Sequence, residues 1–176
     1  MSETTDVNVL VNIAKSLLPV QELITGGAYL VGIIFAIKAL MALKQHGEAK
    51  TMSQASSMKE PLFHLLVAGM LIYFPTGLDI MMNTTFGTSN IMAYGESTTI
   101  QSWFSDSSLG EALVTIVQTI GVFAFVKGFI LLARSSSHGQ QAGGTGKALT
   151  HIFGGILAVN IVGTIEMVYN TLFGTT

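Results

Sequence analysis

Four ionisable side chains lie inside long apolar stretches of the sequence: Lys38, Asp79, Lys127 and Glu166. Placing such a charge at the centre of a bilayer costs about 2.5–3.5 kcal/mol on insertion scales. Side chains found at such positions are candidates for subunit contacts, for the lining of a pore or for a proton relay. The alternative is that both lysines extend to lipid headgroups and that both acids reach water.

The expected depths of these side chains argue against ion pairs within either half of the chain. Lys38 lies about 7–8 Å before the end of its apolar stretch, at about 1.5 Å per helical residue, whereas Asp79 lies near the opposite end of the next stretch. Lys38 is nearer in depth to His64, and Lys127 is nearer to His151. We therefore expect a basic layer at one end of the helices and an acidic layer at the other.

The composition of these 176 residues indicates a membrane protein. Charged residues make up 10%, against about 25% in soluble domains. Apolar residues make up 49%, and the mean hydropathy is +0.59. This composition excludes disorder, and the net charge of −2 excludes a basic nucleic-acid-binding domain. A soluble helical bundle with a large core is the alternative, but helices that are apolar on all sides indicate lipid.

Four stretches are long enough to cross a bilayer, which takes about 20 residues. They are Leu23–Leu43, Leu62–Met82, Ala112–Ala133 and Leu149–Phe173. Before them, Val7, Leu10, Ala14 and Leu17 recur at helical spacing and predict a short amphipathic helix that ends near Pro19.

The two halves of the chain resemble each other. An offset of 87 aligns the second stretch with the fourth, and an offset of 89 aligns Lys38 with Lys127. The pairs at the first offset include rare polar residues, namely His64 with His151, Asp79 with Glu166 and Asn83 with Asn170. We predict an all-α membrane protein with four transmembrane helices, arranged as two tandem helical hairpins. The predicted divisions are an N-terminal amphipathic helix (1–22), a first hairpin (23–82), a polar connector on the outer face (83–110) and a second hairpin (111–176).

Basic residues are concentrated in the two short loops, which predicts the orientation. Lys44, Lys50 and Lys59 lie in the loop 44–60, and Arg134 and Lys147 lie in the loop 134–147, whereas 83–110 has no Lys or Arg. The positive-inside rule places both loops in the cytoplasm. We therefore expect a multi-pass protein of the bacterial inner membrane, with both termini in the periplasm.

No pattern in the sequence predicts catalysis. The chain has no Cys, and its four His residues lack the spacing of a metal site. The run Gly143–Lys147 departs from a phosphate-binding loop, because Gln141 takes the place of the first glycine and Ala148 follows the lysine. We predict no catalytic residue, no metal and no cofactor.

Several motifs of the sequence follow a pattern seen in known proteins. They are Leu71-Ile72-Tyr73-Phe74-Pro75, Thr85-Phe86-Gly87-Thr88-Ser89 and Gly146-Lys147-Ala148-Leu149-Thr150-His151-Ile152-Phe153-Gly154-Gly155. With these motifs the chain resembles the small inner-membrane proteins of type IVB secretion systems, called IcmC/DotE in the Dot/Icm apparatus and TraQ in IncI-type conjugative plasmids. The resemblance implies a non-enzymatic component of a conjugation or effector-secretion machine.

The resemblance also implies the partners, which are other subunits of the type IV secretion or conjugation apparatus, with indirect contact to the transferred DNA or protein. Small residues spaced four apart, such as Ala28, Gly32 and Ala36, let helices approach closely. We therefore expect these spans to pack against other helices. We also expect the protein to form a homo-oligomer surrounded by membrane lipids.

Each half of the chain also resembles a conjugative pilin, because pilins have two apolar helices joined by a short basic cytoplasmic loop. This suggests a subunit that polymerises into an extracellular pilus, with a lumen lined by the loops 44–60 and 134–147. The alternative belongs to a different functional class: a small proton or solute transporter that uses the intramembrane Lys and Asp or Glu residues.

Overall fold

The computed structural model describes residues 3–51, 58–104, 106–136 and 144–174, and within these ranges it contains helices and no strand. The predicted all-α class is therefore confirmed for the described part of the chain. The α-helices are α1 (Glu3–Thr51), α2 (Lys59–Ile72), α3 (Phe74–Phe86), α4 (Thr98–Gln101), α5 (Ser107–Ser135), α6 (Gly144–Val159) and α7 (Ile161–Phe173), with a 3-10 turn at Tyr94–Glu96.

Helix α1 is continuous over 49 residues and contains Pro19 in its interior. The prediction of a separate helix that ends near Pro19 is therefore wrong. Proline removes one backbone donor and strains the preceding turn, but tertiary contacts hold α1 on both sides of it. Ala14 is buried, and the Gln21 side-chain amide donates a hydrogen bond of 2.7 Å to the Thr119 hydroxyl.

Two helices are long and apolar enough to cross a membrane alone, namely α1 between Val7 and Ala49, and α5. The other two candidates are bent pairs: α2 and α3 meet at 97°, and α6 and α7 meet at 92°. Helix α2 has 14 residues and a length of about 21 Å, which is less than the bilayer core of about 30 Å. The structure therefore has two to four candidate spans, depending on whether each bent pair forms one.

The two bends have different chemical causes. In the first, Pro75 has no backbone N–H and disfavours helical geometry just before it, so the helix breaks at Tyr73. In the second, Asn160 ends α6 and caps α7, because its side-chain oxygen accepts a hydrogen bond from the Gly163 N–H at 3.2 Å. The Thr164 hydroxyl also donates to the Leu157 carbonyl, which the bend would otherwise leave without a partner.

The hydrogen bonds around the two bends correspond at the offset of 87 residues. The Tyr73 N–H donates to the Gly69 carbonyl at 3.0 Å, and the Asn160 N–H donates to the Ile156 carbonyl at 3.2 Å. Two further backbone hydrogen bonds recur in the same way. The Gly77 N–H donates to the Tyr73 carbonyl, as the Thr164 N–H does to the Asn160 carbonyl. The Gly87 N–H donates to the Asn83 carbonyl, as the Gly174 N–H does to the Asn170 carbonyl. Gly87 and Gly174 both have positive φ, at 74° and 63°, and each ends its helix.

Glycines allow a close backbone approach at equivalent places in the two halves. A Cβ on Gly32 would lie 2.9 Å from the Ile72 backbone nitrogen, and a Cβ on Gly121 would lie 2.6 Å from the Val159 backbone nitrogen. Ile72 and Val159 are themselves 87 residues apart. The predicted packing of a small-residue face is confirmed at Gly32 and at Ala28, which is 1% exposed.

The chain divides into two compact units, each assembled from separate stretches. Unit 1 contains Met1–Ile24, Leu78–Phe123 and Gly154–Thr176, and unit 2 contains Thr25–Gly77 and Ala124–Phe153. A cluster of Tyr94, Ile100 and Val162 forms a core in unit 1. In unit 2, the Phe125 ring packs against the Phe74 and Phe129 rings, with centroids 5.8 and 5.0 Å away.

Candidate functional site

The connector folds onto the second bend. It covers residues 87–106 in the structure, because α3 continues to Phe86 and α5 begins at Ser107. The Met92 N–H donates to the Asn160 side-chain oxygen at 3.1 Å, and the Ser97 hydroxyl donates to the Glu166 carboxylate. We call these four residues the docking site of the connector. A segment that the sequence predicts as a polar loop is thus attached to α7 by two side chains.

Two polar residues of the docking site are buried, whereas Met92 and Glu166 are half-buried. Ser97 is 1% exposed and Asn160 is 2% exposed. The Ser97 hydroxyl also accepts a hydrogen bond from the Ile100 N–H and so caps the short helix α4. Each polar group therefore has a hydrogen-bonding role, as burial requires.

An apolar contact beside the docking site stabilises the connector. The Tyr94 side chain is buried against Ile100 and Val162, and its ring passes directly over Gly110. A Cβ at Gly110 would lie 2.3 Å from two ring carbons of Tyr94, so only glycine leaves space for the ring. Tyr94 is therefore part of the core of unit 1, whereas Trp103, another aromatic residue of the connector, is 58% exposed.

A cavity of about 590 Å³ lies next to the docking site in unit 1. Its polar wall includes the side chains of Asn160, Glu166 and Glu96, and its apolar wall includes Phe86 and Met167. The Glu96 carboxylate accepts a hydrogen bond from the Ala93 N–H at 2.9 Å, so it too has a structural role. Among the described residues, no group of three His, Cys, Asp or Glu side chains could hold a metal ion.

The two predicted intramembrane acids have different surroundings. Glu166 is half-buried and bonded to Ser97, whereas its counterpart Asp79 is exposed on α3. Asn83 and Asn170 are both exposed. The structure therefore brings only one acid of the predicted acidic layer into a polar contact.

The predicted basic layer is partly assembled in unit 2. The Lys38 ammonium lies 5.6 Å from the Phe35 ring centre, and this ring lies 5.6 Å from the His64 ring. The Nδ1–H of His64 donates a hydrogen bond to the Glu60 carbonyl, and the Nδ1–H of His151 donates the equivalent bond to the Lys147 carbonyl. Lys38 and Lys127 themselves are exposed.

The basic residues of the two loops lie at helix ends. Lys44 forms an exposed ion pair of 3.8 Å with Glu48, and Lys59, Arg134 and Lys147 are exposed. The Lys50 side chain and the loop centres at 52–57 and 137–143 lie outside the described residues. The predicted lumen lining therefore falls partly on residues that the structure does not describe.

Charge is strongly separated between the two compact units. Unit 2 contains seven of the eight Lys and Arg residues and two of the ten acids, which gives it a formal charge of +5. Unit 1 contains the remaining base, Lys15, and eight acids, which gives it a formal charge of −7.

Analysis of the sequence missed three residues of this site: Tyr94, Ser97 and Asn160. A signal was present for Asn160, because Asn is among the residues preferred at the N-terminal cap of a helix and this one interrupts an apolar run. No comparable pattern marks Ser97, whose partner Glu166 is 69 residues away.

Comparison with known proteins finds no family model, no curated protein and no solved structure that matches this chain.

Proposed function

We propose that this protein is a non-enzymatic structural subunit of a type IVB secretion or conjugation apparatus in a bacterial inner membrane. The observation that carries the proposal is the repeated bent hairpin, whose hydrogen bonds recur at the offset of 87 residues. A duplicated hairpin with exposed apolar helices suits a component that packs against lipid and against further copies. The choice of machine rests on the resemblance of the motifs at 71–75, 85–89 and 146–155 to those of the IcmC/DotE and TraQ proteins.

In this proposal the chain crosses the bilayer four times, once in each of α1 and α5 and once in each bent pair. Leu30, Ile34, Ile37 and Met41 on α1 are apolar and mostly exposed, as a lipid-facing surface requires. The concentration of basic residues in the loops 44–60 and 134–147 supports a common orientation for both hairpins, with these two loops towards the cytoplasm.

We expect cysteines at the two ends of the hairpins to differ in chemical accessibility. The chain has no native Cys, so single substitutions are unambiguous. In intact spheroplasts, a membrane-impermeant maleimide should label Ser89→Cys in the connector, but it should not label Gln45→Cys or Gly146→Cys. Permeabilising the membrane should make all three react. Ready labelling at positions 45 and 146 before permeabilisation would overturn the orientation.

The assignment to a transfer machine predicts that deletion of the protein abolishes conjugative or effector transfer. An affinity-tagged copy should restore transfer and should co-purify with other subunits of the apparatus as an oligomer. Transfer at the normal frequency without the protein would contradict the assignment.

The double substitution Asp79→Asn and Glu166→Asn separates this function from transport. We expect vesicles that contain the purified wild-type protein to show no proton flux above empty vesicles. The double variant should assemble less well, because Glu166 holds Ser97. A flux that the variant loses while it still assembles would instead support the transporter.

The subunit is either a scaffold in the membrane or a pilin-like subunit of the conjugative pilus. Purified pili should contain the polypeptide if it polymerises into the filament. Pili that lack it would restrict the proposal to the membrane scaffold.

A further inference from the structure

The basic residues of the second hairpin have no acidic residues near them in the sequence. Residues 112–165 contain Lys127, Arg134 and Lys147, but neither Asp nor Glu. All three are exposed, and none forms an ion pair with a residue in the part of the chain that the structure describes. In the first hairpin, by contrast, Lys44 is paired with Glu48. The positive charge of the second hairpin is thus available to an anionic partner.

Helices α5 and α6 bring Arg134 and Lys147 to one end of the hairpin, inside unit 2. The Thr145 hydroxyl donates a hydrogen bond of 3.3 Å to the Ser135 hydroxyl. Ser135 directly follows Arg134 in the chain, and Thr145 lies two residues before Lys147. Lys127 precedes Arg134 by seven residues and lies on the same side of α5, about 10 Å away along the helix axis.

Exposed apolar side chains lie on the same helix as Lys147, a short distance further along its axis. Leu149 is 42% exposed and Phe153 is 54% exposed, and both lie on α6 within two turns of Lys147. In membrane proteins, apolar side chains of a helix contact lipid acyl chains, and Lys or Arg side chains at the end of that helix reach the lipid headgroups.

We propose that Lys127, Arg134 and Lys147 form a binding site for the phosphate groups of anionic phospholipids in the cytoplasmic leaflet. The guanidinium and ammonium groups donate charge-assisted hydrogen bonds to phosphate oxygens, while Leu149 and Phe153 contact the acyl chains. This inference rests on the proposed membrane location and adds a specific lipid class and a site confined to the second hairpin.

The experiment measures lipid binding to the full-length protein purified in a neutral detergent. Native mass spectrometry would count bound phosphatidylglycerol and phosphatidylcholine, and thermal unfolding would report stabilisation by each lipid and by inorganic phosphate. We expect retention of phosphatidylglycerol over phosphatidylcholine, weakened by salt, and no stabilisation by inorganic phosphate at equal concentration. Equal binding of both lipids would overturn the site, and equal stabilisation by inorganic phosphate would show a site for free anions.

Matched triple variants locate the binding. Lys127→Gln, Arg134→Gln and Lys147→Gln together should reduce phosphatidylglycerol affinity by about tenfold or more, because each basic group near a membrane surface contributes on the order of a factor of five. Lys38→Gln, Lys44→Gln and Lys59→Gln in the first hairpin should retain most of the affinity. If the first triple does not fold, the charge-retaining variant Lys127→Arg, Arg134→Lys and Lys147→Arg should fold and still bind.

Two results contradict different proposals. Equal losses in the two glutamine triples would show a diffuse basic surface and would overturn this site alone. A protein that stays in the supernatant when membranes are sedimented from a detergent-free lysate would instead refute the proposed membrane location.

Discussion

Alanine in place of Gly121 is expected to destabilise the protein by about 1–3 kcal/mol, the usual cost of inserting a methyl group into a close-packed contact. Its Cβ would lie 2.6 Å from the Val159 backbone nitrogen and 2.9 Å from the Ala158 side chain. Because the nearest atom belongs to the backbone, α5 and α6 must move apart at the second bend. Leucine at this position should prevent folding. Unfolding of the purified protein by heat in detergent measures the loss.

Gly154→Ala is the matched control for this substitution. Gly154 lies on α6 with nothing within 4 Å of its Cβ position, so alanine there should raise stability by up to about 1 kcal/mol through helix propensity. Gly32→Ala should behave like Gly121→Ala, because the equivalent contact with Ile72 is 2.9 Å. A Gly121→Ala protein as stable as Gly154→Ala would show that the close crossing does not exist.

Alanine in place of Asn160 is expected to release the connector from α7 and to cost about 2–4 kcal/mol. The substitution removes the acceptor of the Met92 and Gly163 N–H groups, and a donor left unsatisfied in a buried place costs about 1–3 kcal/mol. Loss of the helix cap is part of the same cost. Hydrogen exchange followed by mass spectrometry should show faster exchange in peptides covering residues 91–101.

Two further variants make this test specific. Asn170→Ala changes an exposed residue on the same helix and should leave both stability and exchange unchanged. Asn160→Asp keeps an acceptor oxygen, so its connector should exchange more slowly than that of Asn160→Ala. Unchanged exchange in the Asn160→Ala protein would mean that the connector is held by other contacts, such as the Tyr94 cluster.

The repeat illustrates how one geometry arises from two kinds of sequence. A proline pattern indicates the first bend, because Pro75 interrupts the backbone hydrogen bonds locally. The second bend has Val162 at the position equivalent to Pro75, so no proline marks it, and the Asn160 side chain provides the cap instead. The offset of 87 residues was detectable from polar residues, whereas the equivalent bends were not expected.

The sequence by itself determined the helical class, the apolar stretches and the concentration of basic residues in two short loops. These are local properties, since hydropathy and helix periodicity depend on neighbouring residues. It also indicated the close packing at Gly32, because small residues at a spacing of four mark a contact face. It failed at Pro19, where the Gln21–Thr119 contact across 98 residues supports a helix that local rules would end.

Only the tertiary structure decided which of two equivalent acids has a partner. Asp79 and Glu166 occupy matching positions in the repeat, yet only Glu166 accepts a hydrogen bond from Ser97. The connector follows the first hairpin and docks on the second, so the environment of each acid depends on a segment tens of residues away along the chain. Which acid the connector contacts depends on the free energy of packing between residues far apart in the chain, and no local pattern of residues encodes that free energy.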